Sequence, residues 1–211
     1  MRIRSVKWFV LAALIVATPS AGSASTLGGN LTADDTFSFY VSVLDNVAGT
    51  LVCSDPDNYW GTPTSCGPAL LTPGVTNYLH VMASDLYGTP SMFIGTFTLS
   101  DGSFQFGNGS QTLSTNGTNW VVRTTGFGDP NLTPVEIGPN GTGPWGSFPT
   151  MASNAQFIWD VRGGCNQCTR YFSTAITPTD VAAVPEPATL TLLGLGLTMS
   201  VRRFRSRRKV A

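Results

Sequence analysis

The chain has 211 residues with 12 Lys and Arg against 12 Asp and Glu, a formal net charge of zero, but the two signs are segregated. Three bases (Arg2, Arg4 and Lys7) open the chain and six close it between Arg202 and Lys209, so the segment between keeps only Arg123, Arg162 and Arg170 against eleven acids from Asp34 to Asp180. A lysine-free surface with a net charge of about −8 repels nucleic acid and anionic lipid and attracts divalent cations, which excludes a phosphate-tracking role.

At the N-terminus the three bases precede an apolar stretch, Trp8 to Ala17, then Pro19 and the small residues Ala21-Gly22-Ser23-Ala24-Ser25. This order is that of a secretory signal peptide over residues 1–24, cut after Ser23 or Ala24. It implies the Sec translocon and signal peptidase as partners. The alternative, a permanent N-terminal anchor, would need an apolar stretch of about 20 residues.

Residues 25–176 then read as one folded domain, with aromatics spread evenly through a Gly-, Ser-, Thr- and Asn-rich background. In Thr36 to Val43 the side chains Phe37, Phe39, Val41 and Val43 alternate with polar ones, the pattern of a half-buried strand. The segments Asn77–Ala83, Met92–Leu99, Phe104–Phe106, Trp120–Arg123, Ala155–Val161 and Tyr171–Ile176 continue it. Turn formers separate them: Thr72-Pro73-Gly74, Asp101-Gly102, Gly107-Asn108-Gly109, Asn116-Gly117 and Gly163-Gly164. Many short strands between such turns predict an all-β fold, an antiparallel β-sandwich, with Phe37, Phe39, Phe93, Phe97, Phe157 and Trp159 in or near its core. The Gly- and Pro-rich stretch from Asp129 to Thr150 is expected to be one long ordered loop, and residues 177–183 a linker.

Three patches resemble the galactose-binding-like jelly-roll modules attached to glycosidases. They are Leu31-Thr32-Ala33-Asp34-Asp35-Thr36-Phe37-Ser38-Phe39-Tyr40-Val41; the run from Leu71-Thr72-Pro73-Gly74 through Ala83-Ser84-Asp85 to Gly88-Thr89-Pro90; and Ala155 to Asp160 with Tyr171-Phe172. The resemblance implies a jelly-roll sandwich. It carries over no sugar site, because Ser42-Val43 replaces the Asn-Gly that follows the first strand in those modules and the strand order is rotated.

Four cysteines in an exported chain imply two disulfides with three possible connectivities. Proximity in sequence favours Cys53–Cys66 and Cys165–Cys168. The competing reading of Cys165-Asn166-Gln167-Cys168 is half a zinc site, which lacks two further ligands nearby, or a redox motif, which lacks its βαβ context. His80 is the only histidine, set mid-strand on a face with Tyr78 and Met82, and reads as a core or half-buried structural residue. No nucleophile elbow and no phosphate-cradling glycine loop accompanies it. Asp34, Asp35 and Glu136 offer carboxylates for hydrolysis, although any acidic domain offers such pairs. Asp34-Asp35 reads as a turn at a strand start, with calcium binding as its alternative. Tyr59 and Trp60 in the Cys53–Cys66 loop, and Trp145 in Gly143-Pro144-Trp145-Gly146, are flat aromatics on loops that either stack on a sugar ring or plug an end of the sandwich. The five Asn-x-Ser/Thr sequons at Asn30, Asn108, Asn116, Asn131 and Asn140 mark polar turns.

Residues 184–211 hold the most specific pattern. Val184-Pro185-Glu186-Pro187 is followed by an apolar run, Ala188 to Val201, and a basic tail, Arg202 to Ala211. The arginines stay on the cytoplasmic side, the run enters the bilayer, and the Pro-flanked motif stands extended just outside. A 14-residue helix rises about 21 Å against about 30 Å of hydrocarbon, adequate for a temporary transmembrane anchor and poor for a permanent one. This order resembles the PEP-CTERM sorting signal of Gram-negative bacteria, which the membrane protease-transpeptidase exosortase processes. The resemblance implies an exported protein held in the inner membrane before processing and released afterwards to the cell surface or extracellular matrix, in association with exopolysaccharide. A non-enzymatic role is expected; a carbohydrate-binding or adhesive module, a secreted hydrolase and an ice-binding protein are the alternatives.

Overall fold

Alternation of large and small side chains builds two sheets. The computed structural model describes residues 24–55 and 57–179; the expected signal peptide, sorting motif, apolar run and basic tail lie outside the described residues. In chain order the strands are β1 (Thr26–Ala33), β2 (Thr36–Ser42), β3 (Thr50–Ser54), β4 (Thr64–Leu70), β5 (Asn77–Asp85) and β6 (Phe93–Leu99). They continue with β7 (Phe104–Phe106), β8 (Thr112–Ser114), β9 (Val121–Arg123), β10 (Val135–Pro139), β11 (Gln156–Trp159) and β12 (Cys168–Pro178). One sheet has the order β10-β11-β6-β1-β4 with β8 also paired to β6; the other has β3-β2-β5-β12-β7 with β9 also paired to β12. All pairings are antiparallel. The predicted antiparallel sandwich is therefore the fold.

The core lies between the sheets. From one side come Leu27, Leu31, Phe93, Phe97 and Trp159; from the other Phe37, Phe39, Leu79, Val81 and Phe172. Phe97 contacts Phe39 edge-on and tilts against Trp120. Its ring occupies space that two glycines leave free: a Cβ at Gly29 would lie 2.5 Å from Phe97 Cδ1, and one at Gly95 2.8 Å from Cε2. β1 thus alternates Leu27, Gly29, Leu31, Ala33 on its inner face, and a neighbour's ring fills the gap at Gly29.

A second, smaller core sits on the outer face of the first sheet. Trp145, Phe148, Met151 and Ala155 pack over Met92, Ile94 and Phe157. The predicted loop over Asp129–Thr150 is corrected here: it contains β10, and the segment beyond it folds back as a cover held by Asn140, whose side chain accepts from Phe148 N–H at 2.8 Å and donates to the Phe148 carbonyl. All six aromatics expected in or near the core are buried, but Phe157 faces this outer cluster rather than the space between the sheets. The strand β12 runs through Pro178, two residues into the expected linker.

Both expected disulfides are present, with Cα–Cα separations of 5.8 Å for Cys53–Cys66 and 5.9 Å for Cys165–Cys168. Since β3 is an edge of one sheet and β4 an edge of the other, Cys53–Cys66 ties the two sheets together along their open side. Cys165–Cys168 fastens the turn that leads into β12.

Candidate functional site

Four places bear on what the head can do chemically. The first is the pole of the sandwich from which the chain departs. There Ser25 accepts from Leu71 N–H at 3.0 Å, Thr26 accepts from Ser100 N–H at 2.9 Å, and Thr179 N–H donates to Ser103 at 3.0 Å. Asp101 stitches this corner, accepting from Ser25 Oγ at 2.9 Å and Ser103 N–H at 2.8 Å; those donors hold its carboxyl below the ordinary value. Both ends of the described chain therefore meet at one turn, Ser100 to Ser103. The β2–β3 turn belongs to the same pole, since Ser42 pairs with Tyr78 and Ile176 with Asn77. Between β3 and β4 a groove of about 670 Å³ opens toward it, lined by Val41, Val43, Leu51, Pro68, Leu70 and Asn77 among others.

The opposite pole gathers the acids. Asp35 is buried, with Oδ2 accepting from Leu86 N–H at 2.8 Å and Tyr87 N–H at 3.1 Å. Asp85 accepts from Gly88 N–H at 2.6 Å and from Ser91 Oγ at 2.6 Å, and Ser91 Oγ in turn accepts from Cys165 N–H. Asp34 Oδ2 accepts from Trp145 Nε1 at 2.8 Å. Burial pushes the Asp34 carboxyl up to about 7; the Trp145 donor pulls it down, and Asp35 adds to the rise. One oxygen each of Asp34 and Asp35, Oδ2 in both, thus accepts from a different protein donor, and among the described residues no group of three His, Cys, Asp or Glu is arranged to hold a metal ion. Glu136 lies away on β10 and accepts from Gly117 N–H at 2.7 Å.

Of the aromatics, Trp145 is only 5% exposed and stacks at 5.0 Å on Phe157, so it plugs the outer core and presents no face to a ligand. Trp60 is half-buried against the same cluster, and its carbonyl accepts from Thr32 Oγ1. Tyr59 is exposed beside it, ring centroids 5.7 Å apart. The two sit together on the disulfide-closed loop; Trp145 is not part of their surface.

His80 lies on the outer face of the second sheet, fully buried beneath Phe127, with ring centroids 4.3 Å apart. Its Nε2 faces the Leu44 carbonyl at 3.2 Å, so that nitrogen carries the proton, and Nδ1 accepts from Ser173 Oγ at 2.6 Å. Ser173 Oγ also accepts from Arg123 Nη1 at 2.8 Å, and Arg123 Nη2 pairs with Asp45 at 2.6 Å. Burial holds His80 below its ordinary value. A Ser–His contact has the spacing of a nucleophile and its base. Here Ser173 is 1% exposed and already tied to Arg123, so the network braces the sheet face. Sequence reasoning placed His80 on this face but missed Arg123 and Ser173; the signal available was that Arg123 is one of three cations in the domain. Tyr40 and Tyr171 flank the same plug, each edge-on to Phe127.

The PEP-CTERM protein-sorting motif matches residues 183–209, which begin shortly beyond Thr179. No curated protein and no solved structure matches the chain. The matched stretch is what marks this chain as an exported protein sorted by exosortase; the β-sandwich is the part that is delivered.

Proposed function

We propose that the chain is a non-enzymatic surface or matrix protein: a β-sandwich head displayed on a tail that exosortase cuts at or beside Val184 to Pro187, and that associates with exopolysaccharide after release. The observation that carries this reading is the sorting motif at residues 183–209, placed directly after the strand that ends at Pro178. Residues 180–182 separate the matched stretch from the last described residue, Thr179. The acidic, disulfide-bonded head suits an oxidising exterior. Intact-mass analysis of the protein from its native host tests the reading. In exosortase-positive cells the mature species should lack Ala188 to Ala211, and in cells without the enzyme it should keep them. A mature mass that retains the basic tail in both overturns it.

A carbohydrate-binding or adhesive head is the second reading, favoured by exposed Tyr59 beside half-buried Trp60 on a loop fixed by a disulfide. An aromatic held rigidly at a surface stacks on a sugar ring at small entropic cost. Glycan pull-down with Tyr59→Ala as control separates it from a head with no ligand.

A further inference from the structure

The exposed aliphatic side chains are not scattered. Among the described residues, eleven large hydrophobics are exposed, and six of them, Val43, Leu44, Val47, Leu51, Leu70 and Val75, lie at or beside the pole from which the tail departs. Val43, Leu51 and Leu70 line the groove between β3 and β4. The acids of this pole are Asp45, paired with Arg123 at 2.6 Å, Asp129 beside that pair, and Asp101, which accepts from Ser25 and Ser103; Asp180 follows in the sequence. Asp34, Asp35, Asp55, Asp57 and Asp85 lie toward the other pole, with Asp55 N–H bonded to Phe37 at the far end of β2. The exposed aliphatic side chains of the head are therefore gathered toward the tail end, while the cluster of Asp34, Asp35 and Asp85 lies at the other.

We propose that this pole is a membrane-contact face, whose occupant is the lipid surface into which the apolar run inserts; the inference rests on the sorting reading above. Asp180 to Pro187 is eight residues, which span at most about 28 Å. A domain of about 155 residues has a radius of gyration of about 15 Å and so a diameter near 38 Å. A tether shorter than the head lets the departure pole reach the bilayer, while the opposite pole reaches it only if the head tips over. Leu44 and Leu70, 56% and 71% exposed, then sit at the headgroup–acyl boundary, where aliphatic side chains partition favourably. The tether raises the local concentration of lipid, so a patch too small to bind vesicles by itself suffices. The face would hold the sorting motif at a fixed height while exosortase engages it.

The test uses the full chain reconstituted through its tail into vesicles of phosphatidylcholine that contain a photoreactive phosphatidylcholine, with crosslinked peptides mapped by mass spectrometry. Crosslinks are expected in peptides covering 43–51 and 70–76 as well as 188–201, with few at 86–90 on the opposite pole. The double variant Leu44→Asp, Leu70→Asp alters only exposed positions; it should lose the pole crosslinks about fivefold or more and keep those of the tail. Tail crosslinks without pole crosslinks overturn the docking face alone, as does equal labelling of both poles. Pole crosslinks without tail crosslinks fault the sorting reading and support the face. A chain that is dimeric on sedimentation, with its pole shielded from lipid, assigns the patch to a second copy and also overturns the proposal.

Discussion

The indole of Trp145 donates to Asp34 Oδ2 at 2.8 Å, joining residues 111 positions apart in the chain. This bond ties the cover of the outer core to the turn between β1 and β2, and it does so with a carboxyl that burial has pushed up to about 7. The cover is thus latched by a group that changes charge near neutrality.

A carboxyl raised from 3.8 to about 7 on folding keeps a proton that the unfolded chain has released, so its contribution is complete at low pH and is lost as pH rises from about 4 to about 7. Asp34→Asn keeps an oxygen for the Trp145 donor and removes the charge. Allowing for the half-exposed position of Asp34, the variant should gain about 1–2 kcal/mol at about pH 8 and nothing near pH 4. Denaturant melts at both values measure it; a gain that is the same at both would count against the assignment.

His80 should behave in the opposite direction. Its value is lowered by burial, so the stability it contributes is present above about 6.5 and is lost as pH falls through its folded value. Nitrogen-detected NMR should find it mostly neutral at about pH 6.5, where a free imidazole is half charged, with the proton on Nε2. A charged ring at that pH, or a proton on Nδ1, would refute the Leu44–His80–Ser173 network.

Removal of Cys53–Cys66 as the double alanine variant should cost about 3 kcal/mol from the loop constraint, and should loosen the two sheets where β3 and β4 face each other. Thermal melting with and without reductant reads the first effect. Amide exchange in β3 and β4 reads the second, and unchanged exchange there would show that the bond does not clasp the sheets.

The glycine niche makes a packing prediction. Gly29→Ala should cost about 1–3 kcal/mol by driving the Phe97 ring out of place, and Phe97→Leu in the same chain should recover part of that loss. Strict additivity of the two changes in a denaturation cycle would mean that Gly29 and Phe97 do not share the space.

Glu186→Ala alters the sorting motif and nothing in the folded head. It should leave the tail attached in exosortase-positive cells, with a melting temperature of the head equal to that of the parent. A processed Glu186→Ala chain would show that the acid is dispensable for cutting.

Strands that alternate bulky residues were readable: Thr36–Val43 against β2, Met92–Leu99 against β6 and Asn77–Ala83 against β5 agree within two residues at each end. β1 was not, because its inner positions include Gly29, whose partner Phe97 comes from another strand. β4 was hidden by Gly67-Pro68, which reads as a turn yet is tolerated on a sheet edge where no ladder bond is lost. β10 was hidden by the Gly and Pro around it. The role of Trp145 could not be read either: a tryptophan between Pro and Gly looks the same in sequence whether it faces a sugar or Phe157. The sorting motif was plain because its signal is local order along the chain, which needs no fold to be read.

The strand β12 passes through the middle of its sheet and is the last described strand before the sorting motif. Nine residue pairs join it to β5, from Cys168–Asp85 to Ile176–Asn77, and β7 and β9 line its other side. A pull on the tail runs along the axis of this strand, so it loads those ladder bonds side by side, in shear, rather than opening them one after another. Tension applied through Pro178 is then borne by a strand that is paired along both of its sides.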